Sequence, residues 1–243
     1  MLLYHAWLLF TILRHPTRTV IGINAQSRHQ WVHALMTVSF SLSSMEAPSC
    51  FPQFQDPLKN GVLAVQTLRN NIMASTLLAT TAITLSSLIS VFVSSTSSAT
   101  NSASKLVYGN KTSFVSSVKY FSILLCFLVA FLCNVQSIRY YAHVSFLATV
   151  PSSTGSKDAV EYVARNLNRG SFFWSLGLRA FYLSFPLFLW IFGPIPMFVC
   201  CWMMCFTLYF LDTTTSFTRQ LHSYSFREKM DSVDVESTGD RSL

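Results

Sequence analysis

The run from Asp56 to Val93, DPLKNGVLAVQTLRNNIMASTLLATTAITLSSLISVFV, constrains the fold more than any other part of the chain. Its first part carries Lys59, Gln66, Arg69, Asn70 and Asn71, whereas from Ile72 to Val93 no residue is charged. Roughly 20 consecutive apolar residues in a helix cross a bilayer, so this stretch is long enough to span one. Asp56-Pro57 provides a start signal, with Asp at the N-cap accepting free amide hydrogens and Pro at the first helical position, where its missing donor costs nothing. Small residues Ser75, Ala79, Ala82, Ser86 and Ser90 recur every three or four positions and make a stripe down one helical face. In lipid, such stripes let two helices approach closely.

The rest of the composition agrees with a membrane chain. Apolar residues make up 51% and charged residues only 11%, against about 25% charged in soluble domains. The net charge of +7 comes from Lys and Arg in the segments beside apolar stretches. That is the pattern of membrane topology and head-group contact rather than of nucleic-acid binding. The six cysteines form no framework: Cys126 and Cys133 sit in one apolar stretch and Cys200, Cys201 and Cys205 in another. Their spacing gives no metal site, and no cofactor motif accompanies them.

Further spans are read at about residues 1–13 (partial), 118–135 and 181–211, giving an all-α polytopic helical bundle of about four spans. Residues 1–217 then form a single membrane domain, and the polar tail 218–243 reads as disordered. Trp31 with Arg28, His29 and His33 suits an interfacial segment over 19–36. Residues 37–55 are Ser- and Pro-rich without a period and read as an irregular insertion. They are also compatible with an unspliced intron, since Val38 admits a GT start and the codons of 50–55 a pyrimidine tract ending in CAG. Residues 156–170 read as a short amphipathic surface helix, with Ser156 as N-cap, Gly170 just past its end, and Val160, Val163, Ala164 and Leu167 on one face.

As one straight helix at about 1.5 Å per residue, Phe181–Leu211 would overshoot the ~30 Å hydrocarbon core. Pro186 and Gly193-Pro194-Ile195-Pro196 must therefore kink or split it. A split into 172–192 and 195–217 would bring Arg179 near mid-membrane, at a cost of about 2.5–3.5 kcal/mol. A single kinked span is therefore the expectation.

Lys and Arg alternate by loop. Arg14, Arg18, Arg28, Lys59 and Arg69 precede the main span, and only Lys105 and Lys111 follow it. Arg139, Lys157, Arg165, Arg169 and Arg179 follow the next span. The positive-inside rule puts 14–71 and 139–180 in the cytoplasm and 94–117 outside or in a lumen, at the plasma membrane or an endomembrane. The Asn110-Lys111-Thr112 glycosylation sequon falls on that outer loop.

The blocks YHAWLL (4–9), PTRTVIGINAQSRHQWVHALM (16–36), DPLKNGVLAVQTLRNNIMASTLLATTAITLSSLI (56–89) and FPLFLWIFGPIPMFVC (185–200) resemble plant members of the domain-of-unknown-function family 599. The resemblance implies a multi-span membrane protein and carries no catalytic residues. The chain departs from the pattern in lacking most of the first hydrophobic helix and in the 37–55 interruption.

Candidate chemistry gathers at Gln66, Arg69, Asn70 and Asn71. Helical spacing puts Gln66, Arg69 and Asn70 on one face, and Arg139 or His143 would complete a head-group or anion site. Asn134 is a further polar point inside a span. No HExxH, P-loop or GxSxG pattern is present, so an enzyme is not expected. The reading is a structural or accessory membrane component in contact with the bilayer, with a membrane-protein partner or a second copy of itself. The alternative is a transporter or channel for a small or anionic solute.

Overall fold

The computed structural model describes residues 1–44, 57–98, 113–149 and 157–213. Every regular element among them is helical: α1 (Leu2–Arg14), a 3-10 turn (Pro16–Arg18), α2 (Val20–Ser44), α3 (Pro57–Ser98), α4 (Ser113–Thr149), α5 (Lys157–Leu189) and α6 (Pro194–Asp212). Four of these, α3 to α6, are long and apolar enough to cross a membrane. The all-helical, four-span architecture is the expected one, but the residues that make up the spans differ from those expected.

The largest difference lies in 156–212. The amphipathic stretch does not stop at Gly170; it runs without a break into the apolar stretch, and α5 ends only at Leu189. Pro186 sits inside this helix. The chain breaks at Trp190–Gly193 instead, and α6 starts with Pro194 at its first position. Two prolines without amide donors, preceded by a glycine, stop a helix more firmly than one proline inside an apolar run. The single kinked span is therefore corrected to two helices. Arg179 lies half-buried in α5, in line with the tendency of charged residues in membrane helices to face protein rather than lipid.

The other corrections concern length. The stretches 72–93 and 118–135 are the apolar centres of much longer helices, α3 and α4. α1 has 13 residues and is not among the four candidate spans. Residues 37–44 continue α2, since no proline or glycine falls among them. Residues 45–55 and the tail 218–243 fall outside the described residues.

The chain divides into two compact units, Gln26–Met204 and the two chain ends, Met1–Ala25 with Cys205–Leu243. In the first, α3, α4 and α5 pack side by side. Leu68 joins Tyr141, Val144, Val163, Ala164 and Leu167 in one apolar cluster, completed by Val32 of α2. Ala82 joins Ile123, Phe127 and Ala130 in a second, against Phe181, Leu187 and Ile191. The helices therefore run antiparallel in turn, with the first cluster near the α4–α5 connection and the second near the α3–α4 connection. Phe127 and Phe181 meet edge to face at 5.7 Å. Lys119 of α4 donates from Nζ to the Trp190 carbonyl at 3.0 Å, with the ammonium 5.3 Å from the Trp190 ring. A cation there satisfies a carbonyl that the end of α5 leaves open.

In the second unit, Thr19 caps α2. Its Oγ1 accepts from the Gly22 amide at 3.2 Å, the usual N-cap arrangement. A Cβ at Gly22 would stand 2.1 Å from the Pro16 carbonyl oxygen, so only glycine lets the 3-10 turn fold against α2. Tyr4 donates to Asp212 Oδ2 at 2.7 Å, and the rings of Trp7 and Tyr209 lie 6.0 Å apart.

Candidate functional site

Between the two apolar clusters of α3–α5 lies a band of buried polar groups. α4 supplies Asn134 and Ser137, both almost fully buried, and α3 supplies Ser75, with no exposed surface. Each arises from the same periodicity that buries the neighbouring apolar residues: Ala130, Asn134, Ser137, Tyr141 and Val144 follow at three- and four-residue steps on one face of α4. On α5, Gly170 and Gly177 stand two turns apart on the face toward α4. A Cβ at Gly170 would meet Tyr141 at 3.2 Å, and one at Gly177 would meet Asn134 Nδ2 at 2.7 Å and the Ala130 carbonyl oxygen at 3.2 Å. The two glycines bring α5 against the polar face of α4, as small residues do in membrane bundles.

The hydrogen bonds of this seam cross between helices. Ser137 Oγ donates to the Gly170 carbonyl at 2.9 Å, and Ser75 Oγ donates to Ser137 Oγ at 3.4 Å. Ser137 thus links α3, α4 and α5. The Tyr141 phenol faces the Ser137 and Ser171 hydroxyls and the Arg28 guanidinium. Arg28, from α2, donates through Nε to Asn168 Oδ1 at 2.9 Å. Burial lowers the pKa of Arg28 from its ordinary value, and the Tyr141 phenol offsets part of this. An arginine remains charged under such conditions. Next to it His29 pairs with Glu161, which also accepts from Arg165.

Two polar atoms in this region are buried without a hydrogen-bond partner, Asn134 Oδ1 and Trp174 Nε1. Asn134 Nδ2 donates one of its two hydrogens to the Ala130 carbonyl at 2.8 Å. Trp174 precedes Gly177 by three residues on α5. One is an acceptor and the other a donor, and each unmet group costs about 1–3 kcal/mol.

The sequence-predicted head-group site is arranged differently. Gln66, Arg69 and Asn70 share the exposed side of α3, and Gln66 Nε2 donates to Asn70 Oδ1 at 3.4 Å. Asn71 is half-buried. Arg139 is exposed on α4, and His143 contacts the Tyr162 hydroxyl at 3.3 Å. Among the described residues, no hydrogen bond or ion pair joins Arg139 or His143 to the α3 group. Of the small-residue stripe, Ser75, Ala79 and Ala82 are buried, Ser86 is half-buried and Ser90 is exposed. Asn110 lies outside the described residues. No group of three His, Cys, Asp or Glu side chains suited to a metal converges among the described residues.

Sequence reasoning reached Ser75 and Asn134 but missed Ser137, Gly170, Ser171, Trp174 and Gly177. The signal was present: Gly170, Trp174 and Gly177 repeat at helical spacing once α5 is read as continuous.

The family described as "Protein of unknown function, DUF599" matches residues 1–46 and 53–217. No curated protein and no solved structure matches the chain.

Proposed function

Since the chain belongs to the DUF599 family, a description that carries no activity, we propose that it is a structural or accessory component of a membrane, without catalytic activity. The observation that carries this reading is the fate of the α3 hydroxyls. Thr76, Thr80, Thr81, Thr84, Ser87 and Ser90 each donate to a carbonyl three or four residues back in their own helix. Hydroxyls engaged in this way have spent their one hydrogen on their own helix. Around them α3 presents Met73, Leu77, Ile83, Leu88 and Val91, a surface for lipid, for a membrane-protein partner or for a second copy of the chain.

The family blocks suggest a plant member. The distribution of Lys and Arg supports a cytoplasmic α3 entry and α4–α5 connection, with the α3–α4 connection and Asn110 on the outer or lumenal side of the plasma membrane or an endomembrane. With α5 and α6 as two helices, the same distribution supports a cytoplasmic Asp212 end of α6. Gln66, Arg69, Asn70 and Asn71 at the α3 entry then lie at head-group depth, as do Arg139 and His143. A second reading, transport of a small or anionic solute, is favoured by one observation, the unmet Asn134 Oδ1 and Trp174 Nε1 inside the bundle.

Purification in mild detergent, followed by reconstitution, separates the two. The structural role predicts a stoichiometric membrane partner or self-association and no solute flux. Flux that Asn134→Leu abolishes, with folding retained, would establish the transport reading instead.

A further inference from the structure

We propose that the pocket between α1 and the C-terminal end of α6 holds the head group of a zwitterionic phospholipid, with its phosphate at Arg18 and His15 and its alkylammonium among Trp7, Tyr209 and Asp212. The pocket measures about 400 Å³, and these five residues are part of its lining. Its residues all belong to the compact unit formed by the chain ends.

The lining carries both signs of charge. The lining includes the Trp7 and Tyr209 rings, tilted 35° to each other at 6.0 Å, and the Asp212 carboxylate. Asp212 is only 8% exposed, and the Tyr4 hydroxyl orients it with a 2.7 Å bond to Oδ2. Aromatic faces with a carboxylate are the chemistry that recognises quaternary and primary ammonium groups. Phe10 also lines the pocket, but Arg14 already lies over its ring at 5.7 Å, so Trp7 and Tyr209 are the rings assigned to the ligand. It also includes Arg18 and His15, both exposed. A guanidinium pairs with a phosphodiester through two parallel hydrogen bonds.

A purely anionic ligand would meet the Asp212 carboxylate, and a purely cationic one would meet Arg18. A ligand carrying a phosphate and an ammonium a few atoms apart matches both.

Depth supplies the second argument. α6 is uncharged from Pro194 to Leu211 and ends at Asp212, while α1 is uncharged from Leu2 to Leu13 apart from the imidazole of His5, and ends at Arg14. The pocket lies where both apolar helices meet polar residues, the level at which head groups and Trp or Tyr side chains reside. The proposal rests on α6 crossing a membrane and not on the scaffold reading.

The test uses the full chain in mild detergent, with lipid binding followed by native mass spectrometry. Phosphatidylcholine, phosphatidylglycerol and a cationic lipid with the same tails are titrated in parallel. The expected result is one phosphatidylcholine site at least about tenfold tighter than either singly charged lipid, equivalent to about 1.4 kcal/mol. Soluble glycerophosphocholine should displace it, which separates head-group binding from tail contact. Arg18→Gln should weaken phosphatidylcholine about tenfold. Trp7→Leu should weaken it about threefold to tenfold and leave phosphatidylglycerol unchanged. Asp212→Asn, which keeps an acceptor for Tyr4, should erase the preference over phosphatidylglycerol. Gel filtration confirms that each variant remains folded.

Equal binding of phosphatidylglycerol by the native chain would overturn the proposal. So would phosphatidylcholine affinity unmoved by both Trp7→Leu and Asp212→Asn. Release of the chain from membranes by alkaline extraction would overturn it by another route, by removing the interface on which the pocket's depth depends.

Discussion

The outer face of α3 and the seam between α3, α4 and α5 are both rich in hydroxyls, yet they use them in opposite ways. On the outer face, Thr76, Thr80 and Thr84 return their hydrogens to their own helix. In the seam, Ser137 donates to the backbone of α5 and accepts from Ser75 of α3. The composition is similar and the consequence is not. A hydroxyl that bonds back within its helix adds little to the fold, whereas one that bonds across helices fixes which faces meet.

The contrast can be broken most severely at the glycine that lets α5 close on the seam. Gly177→Leu should cost about 3 kcal/mol of stability, because even a Cβ there meets Asn134 Nδ2 at 2.7 Å and a backbone oxygen at 3.2 Å. Thermal unfolding in detergent would show it, and an unshifted transition would mean that the helices do not approach as described. Ser137→Ala should cost less, about 0.6–1.7 kcal/mol, from the average to the maximum found for hydrogen bonds between membrane helices. Retention of full stability there would reduce the seam to simple packing. Thr80→Ala and Thr84→Ala on the outer face should stay within about 0.5 kcal/mol of the native chain. A loss equal to that of Ser137→Ala would erase the distinction between the two regions. Removal of residues 47–52, which lie outside the family match, should change the unfolding transition least of all.

Much of α3 was legible because its signals are local. The uncharged run from Ile72 and the small-residue stripe need no knowledge of a partner; Ser75, Ala79 and Ala82 of that stripe are buried. Ser90 follows the same spacing and is exposed, bonded back to the Ser86 carbonyl. Periodicity gives a face, and only the neighbouring helix decides how far along it contact extends. The seam was harder to read because Gly170 carries two meanings. In water, a glycine after an amphipathic stretch ends a helix; between membrane helices, the same residue permits close packing. Reading it as a terminus cut α5 in two and hid the spacing of Gly170, Trp174 and Gly177. Pro186 misled in the same direction, since a helix can absorb one proline but stops at Gly193-Pro194-Ile195-Pro196. The pocket at the chain ends joins residues near position 10 to residues near 210, and no local pattern announces such a pairing.

The central claim is that Ser137 faces Ser75 while the Thr80 side of α3 faces away. Disulfide trapping in native membranes tests it directly. With the six native cysteines replaced by alanine, Ser75→Cys with Ser137→Cys should form an intramolecular bond on mild oxidation, since the two hydroxyl oxygens stand 3.4 Å apart. Thr80→Cys with Ser137→Cys should not. Trapping of the second pair, or failure of the first in a folded chain, would contradict the packing on which the account rests.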